Sequence, residues 1–140
     1  MTSGNLENLV KTNQLKAEPA DRKEFDGLVR SGRARLTDAR KSDLSCESRF
    51  DLAYNAAHAL SLAALRRQGY RSENRYLVFQ CLAHTLGLGA ENWRVLALAH
   101  ERRNAAEYTG ELQTDARLLA DMLRVTELVL AKLDEQGPPK

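Results

Sequence analysis

The chain has 140 residues, 43% hydrophobic and 29% charged, the composition of one ordinary globular domain long enough to bury its own core. Its 21 basic and 19 acidic residues leave a net charge of +2, so bulk charge does not mark a nucleic-acid or membrane binder; a local basic patch stays open. No run of ~18 apolar residues is present, and "MTSGNLENLVKTNQLK" lacks the apolar stretch of a secretory signal, so a cytoplasmic chain without a membrane span is expected.

"NLENLVK" places Leu6, Leu9 and Val10 on one face and predicts a short helix, which Pro19 in "KAEPA" ends. Asp21 followed three residues later by Glu24 marks the next helix start. Phe25, Leu28, Val29, Gly32, Leu36 and Ala39 then keep helical spacing. Gly27 and Gly32 each weaken that helix by about 1 kcal/mol relative to alanine, unless another backbone packs close. "SRFDLAYNAAHALSLAALRRQ" is the longest apolar segment, and Gly69 ends it as a cap. Its many alanines suit close approach to neighbouring helices.

"GYRSEN" reads as a polar connector, and "RYLVFQCLAHTLGLG" as a shorter helix stopped by Gly87 and Gly89. "AENWRVLALAHERRNAAEY" follows, stopped near Gly110. Thr114 is expected to cap "DARLLADMLRVTELVLAKLDE", whose apolar face holds Leu118, Leu119, Met122, Val125 and Val129. "QGPPK" reads as a frayed tail. Short connections and the lack of period-two alternation predict an all-α fold. The expected form is an up-and-down bundle of four to five long helices plus a short N-terminal one. Residues 1–41 read as an N-terminal helical extension packed on the bundle, 42–135 as the bundle, and 136–140 as a flexible tail.

The polar residues that interrupt this pattern carry the chemistry. At ~100° per residue, the face holding Trp93, Leu96 and Ala97 runs on into His100, Asn104 and Glu107, with Arg103 and Tyr108 flanking it. Such groups cost several kcal/mol if buried unpaired, so they need partners or a cleft. Glu47, Asp51, Asn55 and His58 form a polar line on the long helix that can supply those partners. There Asp51 can hold an arginine, and His58 titrates near neutral pH and can act as acid or base. A polar network that merely closes the end of the bundle fits the first set, and a solvated stripe fits the second.

Arg66, Arg67, Arg71 and Arg75 cluster around one connector and suit a phosphate-contacting rim, or a solvated loop. Cys46 and Cys81 lack metal-type spacing and read as reduced thiols. Paired Glu-x-x-His elements, a second zincin histidine, a Gly-rich phosphate loop and a nucleophile elbow are all missing, so neither metal nor cofactor is expected.

The long "RFDLAYNAAHALSLAALRRQGYR" helix and the late helix ending "ERRNAAEY" together resemble the HEPN superfamily of prokaryotic helical domains, over roughly residues 45–133. The family motif is an arginine, often followed by asparagine, with a histidine four to six residues further on. In active members two motifs meet across a homodimer and form a metal-independent endoribonuclease site, common in toxin–antitoxin and defence systems. Other members accompany a nucleotidyltransferase as substrate-binding or partner domains.

Here Arg103 and Asn104 match the start of the motif, and Tyr108 stands where the histidine is expected. A phenol with an ordinary pKa near 10 is a poor general base at pH 7, so the resemblance leaves cleavage open. It implies an RNA- or nucleotide-binding cleft around Arg103, Asn104, Glu107 and Tyr108 in a homodimer. The alternative it implies is a non-catalytic partner of a separately encoded nucleotidyltransferase, or of an antitoxin.

Overall fold

The structure, a computed structural model, describes residues 2–112 and 115–139. In chain order its elements are α1 (Thr2–Lys11), β1 (Lys16–Ala17), α2 (Arg22–Ala39), α3 (Cys46–Arg67), β2 (Tyr70–Arg71), α4 (Arg75–Gln80), α5 (Leu82–Thr85), α6 (Ala90–Thr109) and α7 (Ala116–Gln136). The fold is all-α, a helical bundle built on four long helices with α1 as the short N-terminal one. No helix among the described residues is long and apolar enough to cross a membrane.

Local chemistry sets the helix ends. The Asp21 carboxylate accepts from the backbone N–H groups of Lys23 and Glu24 and so starts α2. Ser45 caps α3 by accepting from Ser48 N. Thr114 lies outside the described residues; the Asp115 carboxylate accepts from Leu118 N at 2.7 Å and starts α7. Gly110, at φ 77°, closes α6 by donating to Ala106 O.

α3 is the central element and touches α2, α4, α5, α6 and α7. Phe50, Ala53, Ala56, Ala57, Leu60, Ala63 and Leu65 on it are wholly buried. Its alanines let α2 come close: a Cβ on Gly32 would stand 2.6 Å from Leu60 Cγ and 3.3 Å from Ala56 O. Gly32 is therefore the close-packing glycine, whereas a Cβ on Gly27 meets only the end of Arg30 at 3.8 Å. Phe25 and Ala39 of α2 share one core with α3, α6 and α7. A second, smaller cluster joins Leu6 of α1 to Leu15, Leu65, Tyr70, Leu77, Val78 and Cys81.

Two local features depart from the sequence expectation. The connector at 69–74 contains β2, which pairs antiparallel with β1 through Lys16–Arg71 and Ala17–Tyr70. Two-residue strands are too short to carry alternation, so no sequence period announces them. The helix expected over 75–89 breaks at Cys81 into α4 and α5. At the chain's other end, Arg67 donates to the carbonyls of Gly137 at 2.8 Å and Gln136 at 3.1 Å, and Pro139 is buried.

Candidate functional site

The N-terminal half of α3, the start of α4 and the C-terminal half of α6 enclose one open cleft of about 290 Å³. Tyr54, Asn55, Arg75, His100, Arg103 and Asn104 line it, with Glu107. α6 sends Trp93, Leu96 and Ala97 into the core, and the same face emerges one turn later as His100, Asn104 and Glu107. Asp51, Tyr54, Asn55 and His58 recur at i, i+3, i+4 and i+7 on the facing stripe of α3.

His100 is held at both ring nitrogens. The Tyr54 hydroxyl lies 2.9 Å from Nδ1, and Asn104 Nδ2 lies 3.1 Å from Nε2. With the amide donating to Nε2, the proton sits on Nδ1 and the Tyr54 oxygen accepts it, which describes a neutral imidazole. Burial pushes the His100 pKa down, the Arg75 charge adds to this, and Glu101 opposes it. His58 packs edge-on against Phe79, 6.1 Å between centroids. Burial, then Arg75 and His100, push its pKa down to about 4. Both histidines are therefore neutral at pH 7.

The two cleft arginines are incompletely satisfied. Arg75 is half-buried, with its guanidinium 5.5 Å from the centroid of the Tyr54 ring. Among the described residues it has no carboxylate partner. Arg103 Nε lies 2.9 Å from Asp51 Oδ1, yet neither atom makes a hydrogen bond, although both are shielded from solvent. The contact is a charge pair with the N–H aimed elsewhere, weaker than an aligned one. Asn55 spends its amide N–H on Asp51 O at 2.9 Å, which leaves its side-chain oxygen uncommitted.

The sequence candidates thus divide. Arg103, Asn104, Glu107, His100, Asn55 and Asp51 meet at or beside the cleft, and His58 lies behind it against Phe79. Tyr108 is 90% exposed and does not line the cleft.

The four arginines of the expected rim do not share one surface. The Arg66 side chain is 2% exposed and binds Glu24 at 2.6 Å and the carbonyls of Pro19 and Glu18 at 2.7 and 2.8 Å. Arg67 holds the chain end. Arg71 bonds Glu18 and Glu24, with Glu18 at 2.9 Å. Only Arg75 of the four reaches the cleft.

The polar line read from the sequence does not single out Tyr54, and the arginine cluster puts Arg75 on a rim rather than in the cleft it lines. The heptad-like spacing of Tyr54 with Asp51 and His58 is the signal for the first. No signal within the chain pairs Arg75 with Tyr54, because α4 reaches α3 only through tertiary packing. Among the described residues no group of His, Cys, Asp and Glu is arranged to hold a metal ion. No family model, curated protein or solved structure matches this chain.

Proposed function

We propose that the cleft between α3, α4 and α6 binds the phosphate of an RNA or a nucleotide, making this chain a HEPN-like binding domain of the toxin–antitoxin or defence type. The supporting observation is that Arg75 and Arg103 line one open cleft, the first without a carboxylate and the second without an aligned hydrogen bond among the described residues. A guanidinium in that condition gains charge-assisted bonds when a phosphate arrives. Asn55 and Asn104 offer neutral polar groups beside it, and Glu107 can accept from a ribose hydroxyl or an exocyclic amine. The cleft is at the small end of ligand sites, so it suits one nucleotide unit and not a duplex.

The state of His100 favours binding over cleavage. A neutral imidazole with both nitrogens engaged has no free lone pair to act as a base until a ligand displaces Asn104. The test is fluorescence anisotropy of a labelled ten-nucleotide single-stranded RNA in metal-free buffer, with gel analysis of the same RNA for cleavage. Binding that falls at least roughly tenfold (~1.4 kcal/mol) in Arg103→Ala, without loss of fold, supports the reading. Equal affinity in the two proteins overturns it.

A second reading rests on Tyr108. Its ring is nine-tenths exposed at the end of α6, open to a partner's active site, as for a domain that accompanies a nucleotidyltransferase. Co-purification with such an enzyme, lost in Tyr108→Phe, supports that reading; a partnerless protein that binds RNA opposes it. The homodimer implied by the resemblance is tested by sedimentation equilibrium, where a monomer at all concentrations contradicts it.

A further inference from the structure

A second concave surface shares no lining residue with the cleft. Three cavities of about 370, 490 and 450 Å³ join end to end between the N-terminal segment and residues 71–84. The first and second share Gln14, Leu77 and Gln80, and the second and third share Asn13, Gln14, Ser72 and Glu73. The three adjoin along the N-terminal segment, with Gln14 lining all of them, and make up one grooved face. Along α1 the side from Asn5 to Thr12 rises about 10 Å, the reach of roughly three extended residues.

The lining is unusual for a chain in which 29% of residues are charged. The upper cavity holds no lysine, arginine, aspartate or glutamate; its polar groups are Asn5, Asn8, Thr12, Gln14, Gln80 and His84. Its floor is Leu9, Leu77 and the buried thiol of Cys81. Burial pushes that thiol up to about 11, so it stays protonated and neutral.

Some amides are already used. Asn5 Nδ2 lies 3.3 Å from His84 Nδ1, Gln14 donates to Thr12 at 3.0 Å, and Asn74 caps α4. Among the described residues, Asn8 and Gln80 make no side-chain hydrogen bond. Asn13 takes the left-handed region at φ 62°, which asparagine tolerates, and turns the chain so that Gln14 joins the wall.

We propose that this groove binds an extended peptide segment of a partner protein, uncharged at its centre, through the peptide main chain. A carboxamide presents one acceptor and two donors, the complement of a peptide unit's N–H and C=O. The Asn8 and Gln80 amides, both exposed on the lining of the upper cavity, can therefore pair with main-chain groups of a strand laid along it. Single-stranded RNA suits this surface less well, since each nucleotide brings a negative charge that needs a cation. The cations that line it are Lys16 and Arg71 at the lower end, where Arg71 is held by Glu18 and Glu24 and Glu73 adds negative charge.

The test uses the full chain. A displayed library of random octapeptides is selected on it, and enriched sequences are resynthesised with capped ends and a fluorophore. Anisotropy then compares the wild type, Asn8→Ala/Gln80→Ala and Arg103→Ala. The expected result is binding that weakens at least roughly tenfold in the double variant, and likewise when a central peptide nitrogen is methylated, but persists in Arg103→Ala. The double variant should melt like the wild type, because neither side chain bonds to another among the described residues.

Failure to enrich any sequence overturns the proposal. So does unchanged affinity in the double variant, or with the methylated peptide. Loss of peptide binding in Arg103→Ala moves the contact to the cleft and also overturns it. Loss of a labelled ten-nucleotide RNA in the double variant makes the groove a nucleic-acid surface, with the same consequence.

Discussion

Replacing Arg66 by leucine separates an internal strut from a phosphate contact. Its guanidinium joins Glu24 at 2.6 Å, Glu18 Oε2 at 3.4 Å and the carbonyls of Glu18, Pro19 and Tyr70 at 2.8, 2.7 and 3.3 Å. The substitution leaves three carbonyls short of a donor. Breaking a fully buried ion pair costs about 3–5 kcal/mol. Glu18 and Glu24 keep Arg71, and their side chains are 36% and 31% exposed, so solvent screening puts the loss near the lower end. For a domain of this size, about 3 kcal/mol lowers Tm by roughly 10 °C. Thermal and urea unfolding followed by circular dichroism at 222 nm read this directly. A Tm within about 3 °C of wild type, with RNA affinity lost instead, would refute the reasoning and return Arg66 to a ligand-binding role.

Two glycines on one helix should respond with opposite signs. Gly32→Ala forces a Cβ against Leu60 and Ala56 O and should destabilise by about 1–2 kcal/mol, while Gly27→Ala, which meets only the end of Arg30 at ordinary contact distance, should stabilise by up to about 1 kcal/mol. His58 gives a pH signature. Its folded pKa of about 4 lies below the ordinary 6.5, so the unfolded chain binds more protons between those values. Stability should therefore fall as pH drops from 6.5 to 4, by about 2–3 kcal/mol, and in His58→Gln chemical denaturation should show most of that slope gone. Asp51→Asn removes the carboxylate that competes for Arg103, and should tighten RNA binding several-fold in the anisotropy assay; weaker binding would show that Asp51 instead positions the arginine.

The helices were legible because caps and apolar spacing act locally. Asp21 with Glu24, Gly69 and Gly110 mark ends that the backbone then adopts. On the α6 wheel His100, Asn104 and Glu107 follow Trp93, Leu96 and Ala97; they line the cleft, and Asn104 and Glu107 are exposed there. The break at Cys81 leaves no mark in "RYLVFQCLAHTL", which holds neither proline nor glycine and suits one helix as well as two. The arginine cluster misled for a different reason. Neighbours in sequence around a connector point apart once α3 ends, so Arg66 and Arg71 turn to Glu18 and Glu24 while Arg75 turns to Tyr54. Which arginine stays uncommitted is decided by long-range partners that spacing does not encode.

The central claim is that Arg75 and Arg103 together hold phosphate. The direct measurement is the affinity of the labelled RNA across a salt series for the wild type and for Arg75→Ala/Arg103→Ala. Two phosphate contacts to a single strand predict a slope of about −1.4 in log K against log salt, falling towards zero in the double variant. An unchanged slope and affinity in the double variant would contradict the account.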